Sequence, residues 1–361
     1  MKKLEVFGAK KLKGQIRISG SKNASLPILA ATILSNKKIS LTNIPRVKDV
    51  ETMIKLLESM GSKVKVSKNK NSLVIKNDKK IKTEASYNLM STMRAGIIVL
   101  GPLLARFGKA RVSSPGGCNI GFRPIDIHLE ALKKMGVKYR IINGYINANA
   151  KNGLVGAKIK FPKISVGATE NLMIAACLAK GQTILSNVAI EPEIKDLSNF
   201  LCSIGAKIIW TGKRQVKIIG VKTFKQSNYK VMFDRIEAGT MLIAGAINQG
   251  NLKITGIESS ILKTEIDLLK KIGAKINKKK NEITIKGNKK IKNINIKTSP
   301  FPGVPTDIQA QLMVLLCKAN KRSTIKEDIF ENRFQSVPEL KRMNAKIEVK
   351  GNQAIIEGNT I

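Results

Sequence analysis

The sequence predicts an α/β protein built from repeated βαβαββ units, and three observations favour this fold class. An amphipathic helix that ends in glycine or asparagine recurs five times, with the capping residues at positions 61, 136, 205, 273 and 344. An apolar helix precedes each amphipathic helix, and alternating apolar and polar residues follow each cap. A nearly fixed period of this kind indicates that one structural unit repeats along the chain.

The amphipathic helix of each unit is predicted to end at a left-handed C-cap, a conformation that glycine and asparagine tolerate best. Its five copies are Thr52–Lys63, Leu129–Lys138, Leu197–Lys207, Glu265–Lys275 and Val337–Lys346. The alternation that follows, as in Lys63–Val66 or Glu282–Lys286, is typical of strands with one solvated face.

The other helix of each unit is apolar nearly all round, which indicates burial inside a domain. Its five copies are Asn23–Leu34, Arg94–Ala105, Ala168–Ala179, Ile236–Ile247 and Asp307–Leu316. Units with buried central helices would close into rings, unlike the units of an open solenoid. The length of 361 residues suits about two domains, between which five units do not divide evenly.

The net charge of +40 favours small polyanionic substrates over nucleic acid. Of the 65 basic residues, 53 are lysine and 12 are arginine, and they are spread along the chain. Aromatic residues make up 4% of the chain, whereas base-reading surfaces favour arginine and single-strand platforms need aromatic stacking. We therefore expect no nucleic-acid partner.

Targeting and metal-binding patterns are absent from the sequence. The N-terminus has no apolar signal segment, and the longest apolar run, Ala95–Ala105, is interrupted by Pro102 and is too short to span a bilayer. We expect a cytosolic protein with no membrane span. Three cysteines, Cys177, Cys202 and Cys317, lie in apolar helical patterns, where we expect reduced core thiols. One histidine and no CxxC pair leave no pattern of a metal site.

The chemically densest stretch is the loop Ser114–His128, which contains Cys118, Arg123, Asp126 and the only histidine. Its three glycines and two prolines exclude a regular helix or central strand across its first half. Reactive groups often lie on such loops. Read alone, Cys118 is either a half-buried thiol on a surface turn or a reactive group beside a ligand.

Seven motifs, in order along the chain, together resemble one family. They are Gly20–Ala24, Thr92–Ala95, Pro115–Pro124, Ser165–Asn171, Glu191–Ile194, Pro305–Gln311 and Ile329–Phe334. The chain is similar along nearly its whole length to the UDP-N-acetylglucosamine enolpyruvyl transferases of peptidoglycan synthesis. The resemblance implies two inside-out α/β domains, each of three βαβαββ units, with the active site in the cleft between them. The shikimate-pathway enolpyruvyl transferases share this fold but lack the Pro-Gly-Gly-Cys loop.

The resemblance also implies a reaction, in which the sugar 3-hydroxyl attacks C2 of phosphoenolpyruvate and phosphate leaves, with no metal or organic cofactor. C3 of the enol must gain a proton and later lose one, so an acid/base residue is required. Cys118 matches the family's residue in that role and lies in a glycine-rich lid. Asp307 matches the carboxylate that takes the proton of the sugar hydroxyl, although its position before a helix also fits an N-cap.

The remaining site residues follow from the same resemblance. Those expected to bind phosphoenolpyruvate or the nucleotide phosphates are Lys22, Asn23, Arg94 and Arg123. The residues expected to hold uracil are Pro124, Ile125, Asp126 and Ile127. The residues expected around the diphosphate are Lys163, Ile164, Ser165 and Val166. Ile329 is expected to contact the sugar. Read alone, Arg94 is equally a charge at a helix start. Arg333 matches an arginine associated with Asp307, with a surface ion pair as its alternative, and His128 is expected to be structural.

The family carries six units, so we expect the chain to lack a sixth, C-terminal unit of roughly 60 to 70 residues. That unit would supply an Asp-x-Arg-Ala-like motif and a later arginine that bind phosphoenolpyruvate. We expect residues 1–21 with 231–361 to form an incomplete catalytic domain, and residues 22–230 to form the domain that carries the sugar nucleotide and the lid. The alternative to an active enzyme is a truncated, inactive sugar-nucleotide-binding remnant, or a fragment completed by another chain. We expect a monomer unless another chain supplies the missing unit.

Overall fold

The computed structural model describes residues 5, 7, 11–69, 71–114 and 125–360. Contacts divide these residues into two units. Residues 20–114 and 125–232 form the inserted unit, and the residues before 20 together with 233–360 form the terminal unit. The chain therefore leaves the terminal unit after Ser19 and returns to it at Phe233.

Twenty strands and eleven α-helices occur in the described residues. The strands are β1 (Lys13–Arg17), β2 (Ile39–Thr42), β3 (Lys63–Val66), β4 (Ser72–Lys76), β5 (Glu84–Ala85), β6 (Lys109–Ser113), β7 (Lys138–Ile142), β8 (Tyr145–Asn149), β9 (Lys158–Lys160), β10 (Gln182–Ser186), β11 (Lys207–Gly212), β12 (Gln215–Ile219), β13 (Ser227–Lys230), β14 (Asn251–Thr255), β15 (Lys275–Lys279), β16 (Glu282–Lys286), β17 (Asn295–Lys297), β18 (Ser323–Lys326), β19 (Ile347–Lys350) and β20 (Gln353–Ile356). The helices are α1 (Lys22–Ala31), α2 (Lys48–Ser59), α3 (Tyr87–Met90), α4 (Leu100–Phe107), α5 (Asp126–Lys134), α6 (Val166–Ala176), α7 (Pro192–Ser203), α8 (Arg235–Ile247), α9 (Lys263–Ile272), α10 (Gln309–Cys317) and α11 (Val337–Arg342). Short 3-10 helices cover Thr32–Leu34, Arg94–Val99, Ser259–Leu262 and Thr306–Ile308.

The strands form five four-stranded sheets with one shared topology. Their orders are β13-β2-β4-β3, β5-β6-β8-β7, β9-β10-β12-β11, β1-β14-β16-β15 and β17-β18-β20-β19. The first pair in each order is parallel. The other two pairs are antiparallel. The predicted α/β class is confirmed, and each sheet has the order that a βαβαββ unit produces.

Three of the sheets belong to the inserted unit and two to the terminal unit. The inserted unit closes on itself, because β13 at its end pairs in parallel with β2 near its beginning, from Ser227 against Ile39 to Lys230 against Thr42. In the terminal unit, β1 pairs in parallel with β14, which follows the inserted unit in the chain.

The apolar helices α1 and α6 are buried, as predicted, whereas α8 and α10 also carry half-buried residues. Every residue of α1 from Ala24 onward and every residue of α6 from Ala168 onward is buried. The segment predicted as one helix from Arg94 differs, since its first six residues form a 3-10 helix and α4 starts only at Leu100. Pro102 explains the break, because its ring would clash with the carbonyl group of Ile98 in a continuous α-helix.

The predicted C-caps are also confirmed. Residues 61, 136, 205, 273 and 344 have φ angles of 103°, 92°, 108°, 111° and 70°. These left-handed conformations end the outer helices and let each chain segment turn into the following hairpin.

The prediction that the helical cysteines lie in the core is wrong for Cys202. Cys177 and Cys317 are buried free thiols, but Cys202 is exposed. Helix α7 is amphipathic, and Cys202 shares its solvated face with Lys195 and Asn199, which are spaced at helical intervals from it. Across the described residues, no helix is both long enough and apolar enough to cross a membrane.

Candidate functional site

Three of the predicted site residues, Cys118, Arg123 and Pro124, lie outside the described residues. The others divide between the two units. The inserted unit contains Lys22, Asn23, Arg94, Ile125, Asp126, Ile127, Lys163, Ile164, Ser165 and Val166. The terminal unit contains Asp307, Ile329 and Arg333.

Lys22 and Asn23 are the first two residues of α1. Ser21 caps this helix, because its Oγ accepts the backbone N–H of Ala24 across 3.2 Å. Lys22 Nζ lies 3.2 Å from Oδ2 of Asp49, and both side chains are about 40% exposed (42% and 39%). The ammonium group therefore adds a positive charge to a helix N-terminus, a combination that attracts anions.

The two predicted nucleotide-binding stretches lie at the N-termini of α5 and α6, two helices that pack together. Helix α5 begins at Asp126, which is exposed, while Ile127 is buried. Helix α6 is capped by Ser165, whose Oγ accepts the N–H of Ala168 across 3.3 Å. A small cavity of about 110 Å³ is lined on one side by one face of α5, from Asp126 to Lys134, and on the other by residues 159–162.

Arg94 begins the 3-10 helix that runs to Val99. A buried amide, Asn171 of α6, ties this segment to α5. Its Nδ2 donates to the carbonyl oxygen of Ile97 at 3.2 Å and contacts the His128 ring, and its Oδ1 accepts the N–H of Gly101 at 2.7 Å. The structure thus brings together the segments that carry Arg94, Ile125–Ile127 and Ser165–Val166.

His128 is buried, and its surroundings favour the neutral ring. Burial, and next the positive charge of Arg94, lower the pKa of His128 from 6.5 to about 4, although the Asp126 carboxylate opposes both effects. At neutral pH the imidazole therefore carries no charge.

Three carboxyl groups from two of the sequence motifs are buried in the same unit. Glu170 is 4% exposed, Glu191 8% and Glu193 3%. Burial, and next the charges of Glu193 and Glu191, raise the pKa of Glu170 well above its usual range. No group of histidine, cysteine or acidic side chains in the described residues is arranged to hold a metal ion.

In the terminal unit, Asp307 and Arg333 form a close pair. Arg333 Nη2 lies 2.6 Å from Asp307 Oδ1, and Nε and Nη2 of Arg333 both donate to the carbonyl oxygen of Thr306 at 3.3 Å. Asp307 lies inside the 3-10 helix Thr306–Ile308, whereas Pro305 and Ile308 occupy the N-cap positions. Its N-cap interpretation is therefore wrong, because the chain enters the helix two residues earlier, at Pro305.

Ile329 is half-buried in the loop that follows β18. Its backbone N–H donates to Oε1 of Glu327 at 2.9 Å. The other carboxylate oxygen, Oε2, accepts the hydroxyl of Thr306 at 2.8 Å. A single carboxylate therefore links the Ile329 loop to the turn that carries Asp307.

Sequence reasoning gave no role to Asn171 or Glu327. Both are buried polar residues, at 0% and 3% exposure. A buried polar group needs hydrogen-bond partners, so the position of Asn171 in the apolar helix α6 was an available signal, whereas Glu327 lies between Lys326 and Asp328 and gave none. Their partners Gly101 and Thr306 are distant in sequence, and the repeat does not identify them.

Comparisons with known proteins identify the family of this chain. The profile of the EPSP synthase (3-phosphoshikimate 1-carboxyvinyltransferase) family matches residues 6–361. The UDP-N-acetylglucosamine 1-carboxyvinyltransferase of Pelagibacter ubique is 72% identical over 359 residues, which cover 99% of this chain and 86% of that protein. The chain belongs to the UDP-N-acetylglucosamine 1-carboxyvinyltransferase family. The family's protein from Geotalea uraniireducens is 49% identical over 358 residues, which cover 99% of this chain and 85% of that protein.

Solved structures support the enolpyruvyl transferase fold of this family. NikO, an enolpyruvyl transferase from Streptomyces tendae, matches with a TM-score of 0.87 at 21% identity, over 97% of this chain and 83% of that one. EPSP synthase from Acinetobacter baumannii matches with a TM-score of 0.76 at 18% identity, over 98% and 83%. The fold is therefore common to 1-carboxyvinyltransferases whose sequences have diverged widely.

Proposed function

We propose that this protein transfers the enolpyruvyl group of phosphoenolpyruvate to the 3-hydroxyl of UDP-N-acetylglucosamine with release of phosphate, the first committed step of peptidoglycan synthesis. The observation that carries the proposal is 72% identity, over 99% of the chain, to a relative named for this transfer. The local geometry agrees, because each unit presents groups suited to a different part of the reaction.

The inserted unit is suited to the sugar nucleotide. Ile125, Asp126 and Ile127 would hold uracil at the start of α5, beside the cavity between α5 and residues 159–162. Residues 163–166 would hold the diphosphate at the N-terminus of α6, where unpaired backbone N–H groups favour anions.

The phosphoenolpyruvate contacts of the inserted unit are proposed to be Lys22, Asn23 and Arg94. Lys22 brings an ammonium group to the N-terminus of α1, and Asn23 follows it in the first turn. Arg94 begins a 3-10 helix fixed by Asn171 and would offer a forked donor to phosphate or carboxylate. Arg123 would add a second such donor.

Asp307 is the proposed base for the sugar 3-hydroxyl. Arg333 holds Oδ1 of Asp307 at 2.6 Å and so fixes the direction of the carboxylate. As the sugar oxygen attacks C2 of phosphoenolpyruvate, its proton passes to Asp307. Ile329, held beside this turn through Glu327, would contact the sugar.

Cys118 is the proposed acid/base at C3. It gives a proton to C3 while the sugar oxygen bonds to C2, which produces a tetrahedral intermediate with a methyl group. The C2–O bond to phosphate then breaks, and the Cys118 thiolate takes a proton from C3 as the double bond is restored. A lid that carries Cys118 and Arg123 would keep water from this intermediate.

We further propose that the terminal unit is the catalytic domain and that the inserted unit carries the nucleotide and the lid. The chain spans 86% of the length of its Pelagibacter relative. The expected lack of a sixth βαβαββ unit, a cytosolic location and a monomeric state stay predictions. Nothing observed favours the alternative of an inactive remnant.

Phosphate release tests the proposed function. With both substrates present, we expect turnover on the order of 1 per second or faster. Omission of either substrate should abolish the release, because phosphate leaves only after the sugar oxygen has bonded to C2. Equal phosphate release without UDP-N-acetylglucosamine would show a phosphatase instead.

A further inference from the structure

Glu327 is a buried carboxylate whose three hydrogen bonds all reach the two segments proposed to act on the sugar. It is 3% exposed. Its Oε1 accepts the backbone N–H groups of Ile329 at 2.9 Å and Phe330 at 3.1 Å. Its Oε2 accepts the hydroxyl of Thr306 at 2.8 Å. Hydrogen bonds to a charged acceptor are about twice as strong as neutral ones.

The Thr306 turn is held from two sides. Glu327 binds the Thr306 side chain, and Arg333 donates twice to the Thr306 carbonyl oxygen while it pairs with Asp307. A shift of Thr306 would therefore move the backbone of Asp307 and weaken the hydrogen bonds that Arg333 donates to Thr306 and Asp307. The position of Asp307, the proposed base, therefore depends on Glu327 through Thr306.

Asp328, which lies between Glu327 and Ile329, is bound to the sheet and not to the Asp307 turn. Asp328 donates its N–H to Thr298 Oγ1 at 3.1 Å, and its carboxylate pairs with Lys297 at 2.7 Å. These contacts hold the base of the loop against β17. Glu327 connects the Ile329 end of the loop to the Thr306 hydroxyl, and Arg333, farther along the loop, connects it to the Thr306 carbonyl oxygen and to Asp307.

We propose that Glu327 is a positioning residue for the transfer, which sets the spacing between the carboxylate of Asp307 and the sugar-contacting loop at Ile329. The inference rests on the proposed function and adds to it a residue that touches neither substrate. Misplacement of a reacting group by about 1 Å can cost on the order of 100-fold in rate, so a buried tether of this kind has a measurable kinetic effect.

Two substitutions at position 327 separate positioning from simple stability. Glu327→Ala removes all three bonds. Glu327→Gln keeps an acceptor for the Ile329 and Phe330 N–H groups and turns an NH₂ group toward Thr306, whose hydroxyl can accept it. Glu357→Ala is the matched control, since Glu357 pairs with Arg322 at the surface of the same sheet. All variants are compared in the full chain with UDP-N-acetylglucosamine and phosphoenolpyruvate.

We expect Glu327→Ala to lower kcat by about 30- to 100-fold, with KM for phosphoenolpyruvate changed less than about threefold. The kcat of Glu327→Gln should lie within about fivefold of the wild-type value. The kcat of the control, Glu357→Ala, should lie within about twofold of the wild-type value. A folded Glu327→Ala variant with wild-type kcat, or a control that loses as much, would overturn the proposal.

Two further measurements test the proposal if Glu327→Ala cannot be compared by its turnover. If Glu327→Ala does not fold, Thr306→Val removes only the bond to Oε2 and should lower kcat by about three- to tenfold; an unchanged kcat overturns the proposal. Amide hydrogen exchange reports the tether without turnover: Ile329 and Phe330 should exchange at least about tenfold faster in Glu327→Ala. An inactive wild-type chain contradicts the proposed function, and unchanged exchange at these amides contradicts the tether.

Discussion

Asn171 Nδ2 and His128 Nδ1 lie 3.0 Å apart in the buried interior of the inserted unit. This contact joins α5 to α6, and Asn171 also binds the backbone on both sides of the junction between the Arg94 helix and α4. Since Asn171 donates to Nδ1, the neutral ring carries its proton on Nε2. Three segments proposed to bind substrate are therefore fixed by one amide.

Replacement of Asn171 should destabilise the fold strongly. Asn171→Ala leaves the Gly101 N–H and the His128 ring without their side-chain partner and removes one of two donors to the Ile97 carbonyl, so we expect a loss of about 3 kcal/mol. Urea unfolding at neutral pH measures the change. Asn147→Ala, which removes one partly buried bond to Tyr145, should cost less than about 1 kcal/mol. Equal losses for the two variants would contradict the assignment of Asn171 as the shared anchor.

His128 should make the fold less stable in acid. Its folded pKa of about 4 lies below the ordinary value of 6.5, so the unfolded chain binds a proton first as the pH falls. The stability contribution is fully present above pH 6.5 and declines toward pH 4, by up to about 3 kcal/mol. His128→Gln should lack this part of the pH dependence, so that its curve is flatter than that of wild type. Parallel curves between pH 4 and 6.5 would exclude the effect.

Glu170 should have the opposite pH dependence. Because its folded pKa is raised, its contribution is greatest below the ordinary value near 4.5 and is lost as the pH rises through the folded pKa. The neutral isostere in Glu170→Gln should therefore stabilise the protein at pH 8, by about 1 to 3 kcal/mol. The gain should vanish near pH 4. Thermal unfolding at the two pH values tests the sign, and destabilisation at pH 8 would contradict it.

Asp307 should affect the chemical step more than binding. Asp307→Asn removes the proton acceptor but keeps the size of the side chain, so we expect kcat to fall by about 100- to 10,000-fold. KM for UDP-N-acetylglucosamine should change by less than about fivefold. Glu339→Gln, which alters an exposed pair with Arg342, is the control and should leave both constants unchanged. A larger change in KM than in kcat would assign Asp307 to binding.

The repeat and its helix ends could be predicted because local chemistry restricts them. A left-handed cap accepts few residue types, so glycine at position 61 and asparagine at position 344 were enough to predict the left-handed conformation found there. Strand β3 was predicted from its alternation with its observed bounds, Lys63–Val66. The start of α4 was missed because Pro102 acts one turn upstream, through the carbonyl group of Ile98.

The connections within the site could not be predicted in the same way. Asn171 binds Gly101 from 70 residues away, and Glu327 binds Thr306 from 21 residues away. Periodicity shows which residues share a helix face, but the packing of one helix against another decides which polar groups meet. The role of Cys118 stays a prediction from the family motif.

In the proposed mechanism, C3 of phosphoenolpyruvate gains a proton as the sugar oxygen adds to C2 and loses a proton as phosphate leaves. Turnover of both substrates in D₂O, followed by NMR of the sugar nucleotide, tests it most directly. We predict an enolpyruvyl ether on the 3-oxygen of the sugar with deuterium in its vinyl group, because the transient methyl group contains a solvent-derived hydron. A vinyl group without deuterium, or phosphate release without the ether, would contradict the account.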